Sequence, residues 1–242
     1  MNTTEVFFLP VAHEVRPEYY YWKMIPDTPE ERQKAIDEGY TCGSLIPQTF
    51  DVIKGKWELI SGPLFINFEV RHDPAIAVSI ARKLISDKLV NCCGIDPGCL
   101  RYWLNCSKGC HIEIPMAIYG TEKRPFKYPP VEHDMLKQLR LDEFYDSELY
   151  REPDPAKAYF KQVFLIEWPN VKQLDGRYKV PVSAKEFFSL DYPDLERLTF
   201  SPRTDFEPGT KEPVLSPFLA KIYDIAVSRK PTGFNSVSGT LS

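Results

Sequence analysis

The sequence predicts an α+β fold in which mostly antiparallel or mixed sheets are flanked by helices. Two patterns predict this class: short runs of β-forming residues that alternate between apolar and polar positions, and capped helical segments between them. The composition agrees, because 43% hydrophobic and 26% charged residues over 242 positions are typical of a folded chain. The 22 prolines against 12 glycines favour rigid turns over long helices.

The first predicted helix follows Thr28, with Pro29 at its first position, Glu31 completing a capping box and Gly39 ending it. No other element is predicted within residues 1–50. The next strand covers residues 64–70, and its alternation places Ile66, Phe68 and Val70 on one face. The opposite face carries Phe65, Asn67 and Glu69.

A second helix is predicted from Asp73 and Pro74, with an apolar stripe of Ala77, Ile80, Ala81, Leu84 and Leu89. Breaker residues at 94–98 separate it from a hairpin of two strands, 100–104 and 111–119, joined by a polar turn at 105–109. The local order is therefore strand, helix and hairpin.

The rest of the chain continues this alternation. We expect a basic, proline-rich loop (121–135), an acidic helix (133–150), a strand (163–168) and a turn (170–176). A short strand (178–182), a helix capped by Ser183 and Glu186 (183–190), a last helix (217–228) and a disordered tail (230–242) follow. Three segments organise these elements: an N-terminal extension packed on the core (1–60), the core (61–200) and a C-terminal helix with a flexible tail (201–242).

Charge and cysteine content restrict the setting. No apolar run is long enough to span a membrane and no N-terminal signal is visible, so we expect a cytoplasmic protein with no membrane partner. A pI near 5.7 argues against a generally basic surface but allows a local basic groove. Five of the six cysteines lie between Cys92 and Cys110, without a C-x2-C pair. We therefore expect reduced structural thiols, with a zinc site as the less favoured alternative.

One constellation carries candidate chemistry. Asn67 and Glu69 leave the same face of a strand, and a Lys108-Gly109 turn precedes His111 at the start of another strand. Two carboxylates on one face can hold a pair of divalent metal ions, and a Lys/Gly turn followed by histidine can hold a triphosphate. These are the parts that metal-assisted nucleotidyl transfer requires.

The order of these motifs resembles the archaeo-eukaryotic primase superfamily, the primase-polymerases. That family's acid-x-acid strand corresponds here to Asn67-Phe68-Glu69, and its Ser-Gly-x-Lys-Gly-x-His turn to residues 105–111. Residues 170–183 resemble the segment after the third acidic motif in primase-like proteins of plasmids and integrative elements. The resemblance covers roughly residues 60–190, with the motifs in the family's order.

The resemblance implies a core of two sheet units facing each other across a cleft, and DNA-templated nucleotidyl transfer with Mg²⁺ or Mn²⁺. It implies metal ligation by Glu69 and by a third acid, for which Asp154 is the first candidate and Glu167 the second. Asn67 occupies the catalytic position of the family's first acid. It also assigns the incoming triphosphate to Ser107, Lys108 and His111, and assigns phosphates or template to Arg177 and Lys179. The implied partners are single-stranded DNA, nucleoside triphosphates and a helicase or polymerase.

The chain also departs from the family pattern. Asn67 stands where the first metal-binding acid is expected, and Asn105-Cys106 replaces Ser-Gly. We therefore expect a primase-like replication protein of a mobile element in which transfer is reduced or lost. The alternative is a catalytically inactive DNA-binding or assembly subunit, so the sequence leaves open whether the chain is an enzyme. Structural interpretations also stay open: a hydrogen-bonded His111, and Arg177 and Lys179 as charges that protect a strand edge.

Overall fold

The structure is a computed structural model of an α+β chain with two antiparallel sheets. It describes residues 8–16, 19–44, 48–51, 56–60, 63–70, 73–105, 108–120, 125–126, 131–141, 165–173, 175–206, 209 and 211–228.

The first sheet has seven strands, drawn mainly from the N-terminal part of the chain. The strands are Phe8–Arg16 (β1), Tyr19–Pro26 (β2), Cys42–Ser44 (β3), Gln48–Asp51 (β4), Lys56–Ile60 (β5), Pro125–Phe126 (β9) and Leu165–Glu167 (β10). The strand β1 pairs with β2, β3 and β4. On one side β3 pairs with β10, and on the other β4 pairs with β5, which pairs with β9.

The second sheet has four strands in the order β11-β7-β8-β6, all antiparallel. Their bounds are Leu64–Glu69 (β6), Arg101–Asn105 (β7), Gly109–Ile114 (β8) and Lys179–Val182 (β11). One face of this sheet is apolar, with Ile66, Tyr102, Ile112 and Val182 aligned across the four strands and buried in the main core. The opposite face is polar and is described below.

Six α-helices lie in the described part of the chain: Pro29–Asp37 (α1), Pro74–Leu84 (α2), Val131–Leu139 (α3), Ala184–Ser189 (α4), Tyr192–Leu198 (α5) and Pro217–Ser228 (α6). Helix α2 continues into a π-helical segment, Ile85–Cys92. Helix α2 covers the apolar face through Ala77 and Ala81, and α6 adds Leu219 and Tyr223 to the same core. A smaller core around Val11, Ala35 and Trp168 lies between α1 and the first sheet.

Most predicted helix starts agree with the structure because short-range capping chemistry determines them. Thr28 accepts a hydrogen bond from the Glu31 amide, and Asp73 accepts one from the Ile76 amide. Ser183 and Glu186 form the complete capping box. Helix α6 has the predicted bounds. In α2, however, the buried stripe is centred on Ala77, Val78 and Ala81, with Ile80 and Leu84 only partly buried.

Two predictions about secondary structure are wrong. The segment 1–50, for which only a helix is predicted, also holds β1, β2, β3 and most of β4. The strands β1 and β2 form a hairpin of adjacent segments, whereas β3 pairs with β10, a distant partner that no local pattern reveals. The predicted strand 111–119 ends at Ile114, because Pro115 has no amide hydrogen for the ladder and a 3₁₀ turn follows at Met116–Ile118. The predicted tail 230–242, residues 142–150 of the acidic helix and most of the loop before it lie outside the described residues.

Candidate functional site

The candidate site is the polar face of the second sheet, which we define by Asn67, Glu69, Asn105, His111, Glu113 and Lys179. The strand register aligns these residues in rows that cross the sheet. Glu69, Gly109, Asn105 and Lys179 form one row, and Asn67 lies directly opposite His111 in the next. Residues of the two sequence motifs, far apart along the chain, therefore meet on one surface.

Because position 109 is glycine, the side chains of Glu69 and Asn105 can meet across β8. Glu69 and Asn105 are its neighbours on the two adjoining strands, and the Asn105 amide donates to Glu69 Oε1 across it. Gly109 has φ +146°, and a Cβ there would lie 2.0 Å from the Phe68 carbonyl oxygen. The Lys-Gly turn thus has a steric reason for its glycine, independent of any ligand.

His111 lies at the centre of a hydrogen-bonded network. Its Nδ1 lies 2.8 Å from Lys179 Nζ, and its Nε2 lies 3.1 Å from Asn105 Nδ2 and 3.5 Å from Glu69 Oε1. The ring also meets Phe65 edge-on, with the centroids 6.3 Å apart. The two ring nitrogens therefore contact different groups, Lys179 on one side and Glu69 with Asn105 on the other.

The network is buried at its centre and open at one end. Lys179 and Asn105 are fully buried and His111 is 3% exposed. The Glu69 side chain remains 25% exposed, and Lys108 is exposed beside it. A ligand can therefore reach the polar face near Glu69 and Lys108, where β6 ends and β8 begins.

The surroundings shift the pKa values of the two carboxyl groups on this face, Glu69 and Glu113, in opposite directions. Burial raises the pKa of Glu69, but the hydrogen bond and electrostatic attraction of His111, the charge of Lys108 and a hydrogen bond from Asn67 outweigh it and lower the pKa to about 2. Burial raises the pKa of Glu113 in spite of its ion pair with Arg101, in which Nη1 and Oε1 are 2.6 Å apart. Glu69 is thus ionised at neutral pH.

Two buried amide oxygens on this face have no hydrogen-bond partner among the described residues: Oδ1 of Asn67 and Oδ1 of Asn105. Both could accept a hydrogen bond from a ligand or a water molecule, or contact a cation. Across the described ranges, no three His, Cys, Asp or Glu side chains come together in a group that could hold a metal ion.

The structure brings only some of the predicted site residues together. Asn67, Glu69, His111 and Lys179 lie on the polar face, with Lys108 at its open end. Arg177 instead pairs with Glu196 of α5 at 2.5 Å and lies over the ring of Phe200. Glu167 belongs to β10 of the first sheet, opposite Cys42 of β3. Asp154 and Ser107 lie outside the described residues.

Sequence reasoning missed the part that Asn105 has in the network and treated it only as a departure from the motif. A signal was available, because extending the predicted strand 100–104 by one residue places Asn105 on the polar face with Trp103. The contact between Lys179 and His111 had no such signal, since 68 residues separate them.

The cysteines show no metal cluster in the described segments. Cys42, Cys93, Cys99 and Cys110 are buried free thiols, which agrees with the prediction of reduced structural cysteines at these four positions, whereas Cys92 is free but exposed. Burial raises the pKa of Cys93 to about 11, as expected of an inert thiol. The sixth cysteine, Cys106, lies outside the described residues.

Comparison of the chain with protein-family models, curated proteins and solved structures finds no match. Among the helices that the structure describes, none is both long and apolar enough to cross a bilayer.

Proposed function

We propose that this chain is a primase-like nucleic-acid replication protein of a mobile element, whose polar face binds the phosphates of a nucleoside triphosphate. In this proposal DNA-templated nucleotidyl transfer with Mg²⁺ or Mn²⁺ is reduced or lost. The observation that carries the proposal is the pairing of Asn67 with His111 across β6 and β8. It joins the acid-x-acid strand and the Lys-Gly-x-His turn, which are the two motifs on which the resemblance depends.

Phosphate binding is supported by the open end of the polar face. Lys108 is exposed there, and its ammonium group is a donor that suits phosphate oxygens. The Nε2 atom of His111 faces Glu69 Oε1 at 3.5 Å, so a phosphate would have to displace that carboxylate to reach the ring. Arg177 contributes less to this proposal than the sequence suggested, because its guanidinium already pairs with Glu196.

Reduced transfer is supported by the charges beside Glu69. Two-metal transfer is favoured by anionic oxygen ligands on both ions, and the neutral Asn67 replaces one of them. Glu69 Oε1 also accepts a hydrogen bond from Asn105, which a metal ion would have to displace. Glu69 can supply one anionic ligand, with Asp154 as the proposed second; Glu167, the alternative, lies on β10 of the first sheet and not on the polar face.

The exposed Lys108 at the open end and the neutral Asn67 in place of an acid also favour a second candidate function, a catalytically inactive DNA-binding or assembly subunit. In that case the polar face would bind a phosphate of single-stranded DNA, and a partner polymerase or helicase would perform the chemistry.

Nucleotide incorporation on a single-stranded DNA template tests both functions. Labelled dNTPs or NTPs are supplied with Mg²⁺ or Mn²⁺ to the wild type, to Asn67→Asp and to Asn67→Asp combined with His111→Ala. Asn170→Asp is the matched control, because it adds the same charge at a residue outside the polar face, where Asn170 accepts from the Arg203 amide. We expect incorporation to rise in Asn67→Asp alone and to be lost with His111→Ala.

Each outcome has a distinct meaning. Incorporation that depends on His111 supports the primase-like enzyme. No incorporation by any variant, with single-strand binding retained and weakened by Lys108→Ala, supports the binding subunit. Loss of both incorporation and single-strand binding contradicts both functions.

A further inference from the structure

We propose that the exposed ring of Phe200, which follows helix α5, is a stacking platform for one base of single-stranded DNA that passes the open end of the polar face. The choice of single-stranded DNA as the ligand rests on the proposed function. The platform itself is inferred from Phe200 and the groups that hold it.

Phe200 presents a large apolar side chain to solvent from a fixed backbone. The residue is 58% exposed, whereas the preceding Thr199 is 1% exposed. The Thr199 hydroxyl donates to the Glu196 carbonyl oxygen at 2.7 Å, and the Phe200 amide donates to the Arg197 carbonyl oxygen at 3.3 Å. The backbone that carries the ring is therefore held in place, while most of the ring lies outside the core.

Arg177 supports the ring of Phe200 from one side. Its Cζ atom lies 5.1 Å from the ring centroid, a distance at which a guanidinium group is attracted to the π electrons of the ring. Its Nη1 atom also pairs with Glu196 Oε1 at 2.5 Å, and this ion pair fixes the guanidinium group. A base can therefore stack on the exposed part of a ring whose other side already has a partner.

Phe200 lies at the same end of the second sheet as the open end of the polar face. The Tyr178 amide donates to the Thr199 carbonyl oxygen at 2.8 Å, which attaches the Phe200 segment to the residue before β11. At this end of the sheet β11 begins at Lys179, and β8 begins one residue after Lys108. Only β7 separates these two strands, so their first residues are about 10 Å apart. A DNA strand with a phosphate at Lys108 can thus place a nearby base on Phe200.

The charges around Phe200 favour contact through a base over contact through a phosphate. Arg177 pairs with Glu196, and Arg197 pairs with Asp194 at 2.5 Å. Both arginines beside the ring therefore already have a carboxylate partner. Stacking does not depend on such charges, because every base has a π face that can pack on an aromatic ring.

Binding of a labelled single-stranded DNA to the full chain, measured by fluorescence anisotropy at one salt concentration, tests the platform. We expect Phe200→Ala to weaken binding about fivefold to 150-fold, which corresponds to the loss of one stacked base. Phe200→Tyr keeps an aromatic ring and should bind within about twofold of the wild type. Phe218→Ala is the matched control, because it removes another phenylalanine ring that is 51% exposed, on α6, and should leave binding unchanged.

An oligonucleotide of the same length that carries abasic sites throughout separates stacking from a change in the fold. It keeps the phosphates but has no base to stack. We therefore expect the wild type and Phe200→Ala to bind it equally, whereas an effect of Phe200→Ala on the fold would weaken binding of both DNAs.

The outcomes separate this inference from the proposed function. Binding of normal DNA by Phe200→Ala within twofold of the wild type overturns the platform and leaves the proposed function standing. Equal losses for Phe200→Ala and Phe200→Tyr, or equal losses with normal and abasic DNA, overturn the platform as well. Failure of the wild type to bind any single-stranded DNA contradicts the proposed function and the platform together.

Discussion

Glu69 and Glu113 lie on the same sheet face, yet their surroundings act on them in opposite ways. Glu69 contacts His111 and Asn105 and lies near Lys108 at the open end of the face, and these neighbours favour the carboxylate. Glu113 has Arg101 as a partner but is 5% exposed, and burial has the larger effect. The pH dependence of stability should therefore distinguish the two residues.

We predict that Glu69→Gln destabilises the protein at pH 7 by about 1–3 kcal/mol, because a charged hydrogen-bond acceptor is lost. The Glu69 pKa falls from 4.5 to about 2 on folding, so its stabilisation is present above pH 4.5 and is lost as the pH falls towards 2. Urea unfolding between pH 2 and 7 should show the difference from wild type shrinking with acid. A difference that is the same at pH 3 and pH 7 would contradict this.

Glu113→Gln is the matched control on the same face. A carboxyl group whose pKa is raised on folding destabilises the folded state increasingly as the pH rises past its unfolded value. The stability of Glu113→Gln relative to wild type should therefore improve from acid to neutral pH, in the direction opposite to that of Glu69→Gln.

Gly109 is constrained by both its backbone and its surroundings. We predict that Gly109→Ala destabilises the protein by about 3–5 kcal/mol, because it adds steric overlap with the Phe68 carbonyl to backbone strain. Gly94→Ala is the control: its φ is +68°, but nothing lies within 4 Å of the added carbon, so only about 1–2 kcal/mol of strain is expected. Equal losses in chemical denaturation would show that the overlap relaxes.

At the scale of elements, Arg82 connects helix α2 to the end of α4. Its guanidinium donates to the carbonyl oxygens of Phe187 and Leu190, at 2.6 and 2.5 Å. These carbonyls lie where α4 ends and have no following helical turn to donate to them. The helix that packs on β6 and β8 is thereby tied to the segment that follows β11.

We predict that Arg82→Met destabilises the protein by about 2–3 kcal/mol, since it leaves two partly buried carbonyl oxygens without a charged donor. Arg197→Met is the control, because Arg197 pairs with Asp194 at the surface and its side chain is 75% exposed. Its effect should stay within about 0.5 kcal/mol in the same unfolding measurement. Similar losses in the two variants would contradict the structural role of Arg82.

At the scale of the whole molecule, the C-terminal helix α6 belongs to the main core. Leu219, Ile222 and Tyr223 are buried in the cluster that covers the apolar face of the second sheet, and Tyr223 packs on Tyr119 with the ring centroids 5.3 Å apart. Ser216, just before the helix, donates to the Cys93 carbonyl. The second sheet carries the polar face on one side, and α6 contributes to the core that covers its other side.

We predict that Leu219→Ala lowers the free energy of unfolding by about 2–5 kcal/mol, because it removes buried methyl groups and leaves a cavity. Its neighbour Phe218 is 51% exposed, so Phe218→Ala should cost less than about 1 kcal/mol. Calorimetric or urea unfolding of the pair would measure this contrast. Equal effects would mean that α6 packs through a different face.

The sequence by itself determined the features that depend on near neighbours. Thr28, Asp73 and Ser183 cap helices because each side chain reaches an amide three residues ahead. Alternation along β6 placed Asn67 and Glu69 on one face and Ile66 and Phe68 on the other, because successive strand residues point in opposite directions. The α+β class and one face of the candidate site follow from these short-range rules.

Only the tertiary structure decided which distant residues meet. In the first sheet, β3 at residues 42–44 pairs with β10 at residues 165–167, and no local pattern could reveal that pairing. The register of β11 on β7 brings Lys179 beside Asn105 and into contact with His111, whereas Arg177, two residues earlier, turns to Glu196. Strand pairing and burial made those choices, because side chains far apart in sequence interact only when the backbone between them has folded.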